Sequence, residues 1–360
     1  MPLAVIGDSQ AVVVAGLASH CSGRTVLLGP GPGRTRGAVR IEGLSSGPID
    51  VCVIDRPTAD VYVAVTTSGR LESLLSEHRQ LLAGRVLLLA PGGFGAVVRV
   101  RRLFEEWGVA PPVVAEATGF PALGGGEGTV ALRGIKRSMP MAGIDAEATD
   151  EVHRALSGYL PDLVSSDLAT TSLSNTNHLL HPVITLLNAD RIVDGEAFLL
   201  YRDGRLADLV ARLEAADAER LALVEELGGE SLSITEWLLR FYADQGMTGS
   251  TIDECLASFP GFSDVPSPPS PDYRYLTDDV PYGLAGYAAV AERLGIDVPR
   301  INSVITAAED LLGRPLRAEI SSVVDPFLEA AAPASAAGGW ARRRVESRSI
   351  RKDCDVVGTE

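Results

Sequence analysis

The stretch PLAVIGDSQAVVVAGL, Pro2 to Leu17, decides how the first half of the chain is read. Pro2 to Gly7 is a short apolar run of strand length, Asp8-Ser9-Gln10 turns the chain, and Ala11 to Leu17 continues as an apolar helix. A strand, a tight turn and a helix in that order open a dinucleotide-binding fold, where amides at the helix N-terminus meet a pyrophosphate. The glycine fingerprint expected at the turn, G-x-G-x-x-G/A, reads here as Gly7, Ser9 and Val12. Only the first glycine is kept. Ser9 brings a Cβ to where the phosphates would lie, and Val12 brings a β-branched side chain to the helix–strand contact. Asp8 adds a negative charge beside the place of an anion, an unfavourable neighbour. Gly7, Ser9 and Gln10 are the candidate cofactor-facing residues of this turn, joined by Thr66 after a later strand.

Working outward, Thr25 to Leu28 reads as a second strand, ending in GPGPGRTR without the acidic residue that would bind an adenosine ribose. Arg34 and Arg36 suit a 2′-phosphate and would favour NADPH, or they are solvated loop arginines. Strands at 51–54, 61–65 and 86–89 alternate with a helix near 71–82, the pattern of a mainly parallel sheet with helices on both faces. Lys136 and Arg137 close this half and read as surface charges. From about Thr149 the pattern becomes helical. Apolar residues at 206, 209, 210, 213, 221, 224 and 227 form a stripe that Gly228-Gly229 stops. Ser233-x-x-Glu236 and Thr251-x-x-Glu254 are capping boxes, and 284–294 and 302–313 are further helices. The chain thus divides into an α/β Rossmann-like N-terminal domain over 1–150, an all-α domain over 151–328, and a flexible tail over 329–360.

At 360 residues two domains are expected, and a net charge of −15 argues against nucleic acid as a partner. No run approaches the roughly 18 apolar residues of a membrane span. The N-terminus has no basic segment before its apolar residues, so a signal peptide is not expected. Cys21, Cys52, Cys255 and Cys354 lack metal or redox spacing, which fits a reducing cytoplasm. Lysine is nearly absent, Lys136 and Lys352 being the chain's two against an otherwise all-arginine basic set. The apolar helices of the second half would suit a homodimer.

The second half carries the chemistry. Asn177 and His181 are four apart and share a helix face, and Pro182 reads as a first-turn proline. Far along the chain, PDYRYLTDDVPYG supplies Arg274, Asp278 and Asp279 from what reads as an extended, proline-led loop. Histidine, carboxylate and arginine on separate segments are what a site needs to move a proton and grip a carboxylated substrate. His178 and His181 have no third ligand at sensible spacing, so no metal is expected. Asp278 reads as a solvated loop acid, and Tyr273 and Tyr275 as packing residues that orient the arginine.

The ordered set Asn177-x-x-x-His181-Pro182, NADRI, FLLYRDG and RYLTDDVPYGL resembles the helical domain of the opine (octopine/nopaline) dehydrogenase family, and the similarity extends over about 3–315. That family joins the amine of an amino acid to a 2-oxo acid and reduces the imine with NAD or NADP as the cofactor pair. The resemblance implies that His181 and Asp279 are the catalytic pair and that Arg274 binds an amino-acid carboxylate, with Asn177 nearby. The first half departs from the family. The turn Ala90-Pro91-Gly92-Gly93-Phe94-Gly95 has Ala90 and Phe94 in place of polar residues, and Gly119 stands where a threonine near the oxo acid is usual. Thr118, beside it, is a candidate substrate contact.

Three readings follow. The first is an NAD(P)H-dependent opine-type reductase acting on an amino acid and an oxo compound. The second keeps the His181–Asp279 pair without any nicotinamide, for cyclisation, elimination or isomerisation of an amino-acid-like substrate, and is motivated by the altered first half. The third is a non-catalytic small-molecule binder. The departures at Gly119 and Phe94 suggest a second reactant different from or bulkier than pyruvate, or none.

Overall fold

The structure, a computed structural model, describes residues 2–29, 37–42, 49–125, 130–317 and 320–331. The first half runs β1 (Leu3–Gly7), α1 (Gln10–Ser22), β2 (Leu27–Leu28), β3 (Gly37–Glu42), β4 (Ile49–Val53), β5 (Val61–Val65), α2 (Leu71–Leu82), β6 (Val86–Leu89), α3 (Ala96–Glu106), β7 (Val113–Ala117), β8 (Ala122–Gly125), β9 (Val130–Ile135), β10 (Met139–Gly143), α4 (Ala146–Leu156) and β11 (Leu163–Ser165). All eleven strands join one sheet in the order β11-β10-β7-β6-β5-β1-β2-β4-β3-β9-β8. Its centre is parallel, with β1 pairing β5 from Leu3↔Val61 to Gly7↔Val65. Every residue of β1 and β5 is buried, as expected where helices cover both faces. Gly7 turns out of β1 at φ 132°, and a Cβ there would overlap the Val65 carbonyl. The sheet therefore requires this glycine whatever ligand the turn meets.

The α/β layer extends past residue 150. α4 packs on β10 and β7, and β11 pairs with β10, so the sheet ends at Ser165. Helical periodicity around 146–156 says nothing about whether a helix covers a sheet or another helix. The antiparallel ribbon β8–β9 also escapes pattern reading, because it is glycine-rich and shifts register between Leu123 and Gly124. It lies against α1, where the Gln10 amide donates to the Gly124 carbonyl (2.9 Å).

The second half is helical: α5 (Leu168–Leu173), α6 (Asn177–Leu187), α7 (Ala189–Val193), α8 (Leu200–Asp203), α9 (Leu209–Glu226), α10 (Ile234–Tyr242), α11 (Ile252–Ser258), α12 (Arg274–Thr277), α13 (Ala285–Leu294), α14 (Pro299–Leu312) and α15 (Val324–Ala331). A π-turn, Val280–Leu284, joins α12 to α13. Both predicted capping boxes form, at α10 and α11. α6 is the axis of this half, packed against α9, α12 and α14. It starts at Asn177, so Pro182 lies inside it rather than in its first turn, at the cost of a backbone donor. α9 begins at Leu209, since Leu206 faces solvent, and its buried face includes Asp217 and Arg220 beside Leu213, Leu223 and Val224. Arg220 pairs with Asp217 (2.7 Å) and donates to the Leu232 carbonyl (2.6 Å), which is how two charges enter an apolar stripe.

Among the described residues the exposed large hydrophobics are Val193 and Leu206. The apolar helices invoked for a dimer are largely spent inside the chain. No helix of the described residues is long and apolar enough to cross a membrane.

The π-turn passes so close to α6 that a Cβ on Gly283 would collide with the His178 ring. That ring is fixed between Asn175 (3.0 Å) and the Tyr287 hydroxyl (2.9 Å) and has little room to yield. Gly283→Ala is therefore expected to cost about 1–3 kcal/mol, the usual range for overpacking. Chemical denaturation checks this, and an unchanged midpoint would show that the turn relaxes freely.

Candidate active site

α6 presents Asn177 and His181 on one face, and both line a cavity of about 540 Å³ that extends to the start of α1. His181 is nearly sealed from bulk solvent but lines this cavity. Its Nδ1 meets Asp279 Oδ2 at 2.7 Å, and its Nε2 meets the Tyr201 hydroxyl at 3.0 Å. Tyr275 stacks on the imidazole with centroids 3.9 Å apart. With Asp279 as the ionised acceptor, Nδ1 carries the proton and Nε2 is left as the basic nitrogen, accepting from Tyr201. Burial, and then the positive charges of Arg274 and Lys136, hold the imidazole well below its usual pKa. Burial pushes Asp279 up to about 6, against the pull of Arg274.

The quoted motifs explain how these groups are held. In NADRI, the Asn188 amide donates to the Ile184 and Gly204 carbonyls (both 2.9 Å), tying α6 to the turn after α8. Arg191 donates to Asn188 Oδ1 (2.9 Å) and stacks over Phe198 (4.0 Å). This brace fixes FLLYRDG so that Tyr201 reaches His181.

Arg274 opens α12 rather than lying on an extended loop, and its carbonyl accepts from the amides of Asp278 (2.9 Å) and Asp279 (3.1 Å). Its guanidinium lies over Tyr275 (5.3 Å) and Phe120 (5.7 Å), with no hydrogen-bond or ion-pair partner among the described residues. Asp278 is buried, not solvated. Its two oxygens accept the amides of Ser68 (3.1 Å) and Gly69 (2.8 Å), tying the helical half to the sheet half. Burial, with Asp279 next, raises it to about 6.

Lys136 is likewise not on the surface. The side chain is 5 % exposed, lines the cavity beside Phe241 (5.0 Å), and is lowered to about 8 by burial. Phe94 is buried against Phe327 (4.6 Å) and Gly286 and does not line the cavity, so it sets no limit on a reactant. Thr118 is buried with an unpartnered hydroxyl and is not a lining residue.

The same cavity is lined by Asp8, Ser9, Gln10 and Thr66. Gly7 is buried behind them, and Arg34 and Arg36 lie outside the described residues. Asp8 does not oppose an anion with a bare charge, because it accepts from Thr66 (2.6 Å) and pairs with Arg70 (2.8 Å). The first turn of α1 has no acidic residue and no side-chain cap. An uncapped N-terminus opening on a cavity fits the pyrophosphate of a dinucleotide, with Ser9 exposed at its lip. Among the described residues no cluster suits a metal.

Sequence reading alone missed Tyr201, Tyr275 and Lys136 as site residues. Tyr201 stood inside a quoted motif. Lys136 carried a fainter sign, since it is one of two lysines in a chain whose other basic residues are arginine.

The helical-domain model of the NAD/NADP octopine/nopaline dehydrogenases matches residues 164–312. The opine dehydrogenase of Arthrobacter sp. (strain 1C) is 27 % identical over 300 residues, 82 % of this chain and 81 % of that one. The ocs protein of Agrobacterium tumefaciens (strain Ach5) is 29 % identical over 263 residues, 72 % of each chain. An octopine dehydrogenase solved with NADH and agmatine superposes with a TM-score of 0.68 at 15 % identity, covering 92 % of this chain and 96 % of that one. The matched relatives span both halves, well beyond the helical domain, so the likeness to the opine dehydrogenases covers most of the chain.

Proposed function

We propose that the chain is an NAD(P)H-dependent opine-forming enzyme that condenses the amine of an amino acid with a 2-oxo acid and reduces the imine to a secondary amine. The observation that carries this is His181, held between Asp279 and Tyr201 and sharing with Arg274, unpaired among the described residues, a cavity that reaches the start of α1.

Arg274 receives the amino-acid carboxylate, a charge-assisted and geometrically directed contact. That anion offsets one of the charges depressing the imidazole, so substrate binding makes His181 more basic. Nε2 then takes a proton from the substrate ammonium, freeing its lone pair to attack the carbonyl carbon, and returns it to the carbonyl oxygen; a second proton passes from the nitrogen to that oxygen, water leaves, and a protonated imine remains. Asp279 holds the ring in one tautomer and stabilises it while protonated. Tyr275 keeps the ring plane fixed and bulk water out. A dinucleotide whose pyrophosphate meets the N-terminus of α1 would supply, from its nicotinamide, the hydride that reduces the imine carbon. Asn177, one turn before His181, is placed to contact the same substrate.

The nicotinamide-independent reading is motivated by the altered first half. The pairing of Asp8 with Arg70 and Thr66 weakens one part of that motive, the charge beside the pyrophosphate. The test is a titration of the purified chain with NADH and NADPH followed by nicotinamide fluorescence, then a search for nucleotide oxidation with amino-acid and 2-oxo-acid pairs. Binding of one nucleotide and turnover with at least one pair are expected; failure to bind either at millimolar concentration rejects the reading.

A further inference from the structure

The proposal begins with a charge that lacks a counterpart. Lys136 follows β9, its backbone amide donates to the Pro121 carbonyl (2.9 Å), and its side chain runs inward to the cavity. At 5 % exposure its ammonium has no hydrogen-bond or ion-pair partner among the described residues; it lies over the face of the Phe241 ring, 5.0 Å from the centroid. A buried cation without a partner is costly, and it is retained where something brings the anion.

The nearby carboxylates are all engaged. Asp279 serves His181, Asp278 holds the Ser68 and Gly69 amides, and Asp8 is paired with Arg70. The cavity therefore holds two cations awaiting anions, Arg274 and Lys136. Consecutive residues seat them: a Cβ on Gly119 would run into Lys136 Nζ, and the Phe120 ring lies under Arg274 at 5.7 Å. Gly119 thus makes the space that the ammonium fills. A substrate with two carboxylates on neighbouring carbons of one secondary amine would meet both.

We infer that Lys136 is the subsite for the carboxylate of the 2-oxo acid, opposite Arg274, which takes that of the amino acid. This rests on the proposed reaction for the identity of the ligand, though the anion site itself does not. Lys136 thereby selects carbonyl compounds that bear an adjacent carboxylate over neutral aldehydes and ketones, and the small residue at 119 is the condition for it.

The test uses pyruvate as probe, titrated calorimetrically into the full chain without nucleotide and into Lys136→Met, Gly119→Val and Arg274→Met. Lys136→Met is expected to weaken pyruvate at least tenfold, Gly119→Val to weaken it by displacing the ammonium, and Arg274→Met to leave it within about threefold. Lys136→Met removes an unpaired buried charge, so its melting temperature should match or exceed that of the unaltered chain. Should it fail to fold, Gly119→Val decides. Pyruvate bound equally by Lys136→Met and the unaltered chain, lost equally from Lys136→Met and Arg274→Met, or bound by none of them would overturn the assignment. Tenfold weakening without any NAD(P)H binding would keep the anion subsite and reject the reductase reading.

Discussion

Replacing His181 by alanine is expected to lower the rate of NAD(P)H oxidation with amino acid and 2-oxo acid by about 10²–10⁴-fold, the range for loss of a positioned general base. Nucleotide affinity should stay within about twofold, since the pyrophosphate would be held by the turn before α1 rather than by the imidazole. The deficit should be in kcat more than in KM, because the amine must be deprotonated before it can attack. His181→Asn keeps a hydrogen bond to Asp279 without a titratable nitrogen and should be equally impaired. Steady-state kinetics on both variants checks this; full activity in either would remove the imidazole from the mechanism.

The second large effect is expected at Arg274. Its guanidinium is preorganised over Tyr275 and Phe120 and has no hydrogen-bond or ion-pair partner among the described residues, so a substrate carboxylate can supply that contact on binding. Truncating one side of such a charge pair costs about 2–5 kcal/mol. Arg274→Met should thus reduce kcat/KM for the amino acid by between about 30-fold and several thousandfold, at roughly 1.4 kcal/mol per factor of ten. The effect should fall on the KM of the amino acid and spare that of the 2-oxo acid. A larger loss for the oxo acid would mean that the two carboxylates are seated the other way round.

How much of this was legible beforehand differs between the halves. β5, α2 and β6 stand at the residues their apolar runs indicated, because buried parallel strands and amphipathic helices announce themselves by composition and period. The ribbon β8–β9 did not, since its alternation is broken by glycines and a register shift. The pairing of His181 with Asp279 was implied by the family resemblance, and the two side chains lie at hydrogen-bond distance in the fold. Asp278 and Lys136 were misjudged for one shared reason. Charge next to proline, glycine or another charge reads as solvated, and only tertiary packing reveals that the Asp278 carboxylate meets two backbone amides or that the Lys136 ammonium enters a cavity. The turn at Asp8 was read as hostile to phosphate because its own counterion, Arg70, is distant in sequence and supplied by the segment after β5.

Asp278 and Asp279 are adjacent in the chain, yet one grips the sheet half and the other steers the imidazole. A single peptide unit therefore links the joint between the two halves to the proton-transfer group. If the halves part at Ser68 and Gly69, the displacement arrives one residue later at the base. Loss of activity under heat or denaturant should then run ahead of loss of helix content, with the enzyme falling silent while most of its secondary structure is still intact.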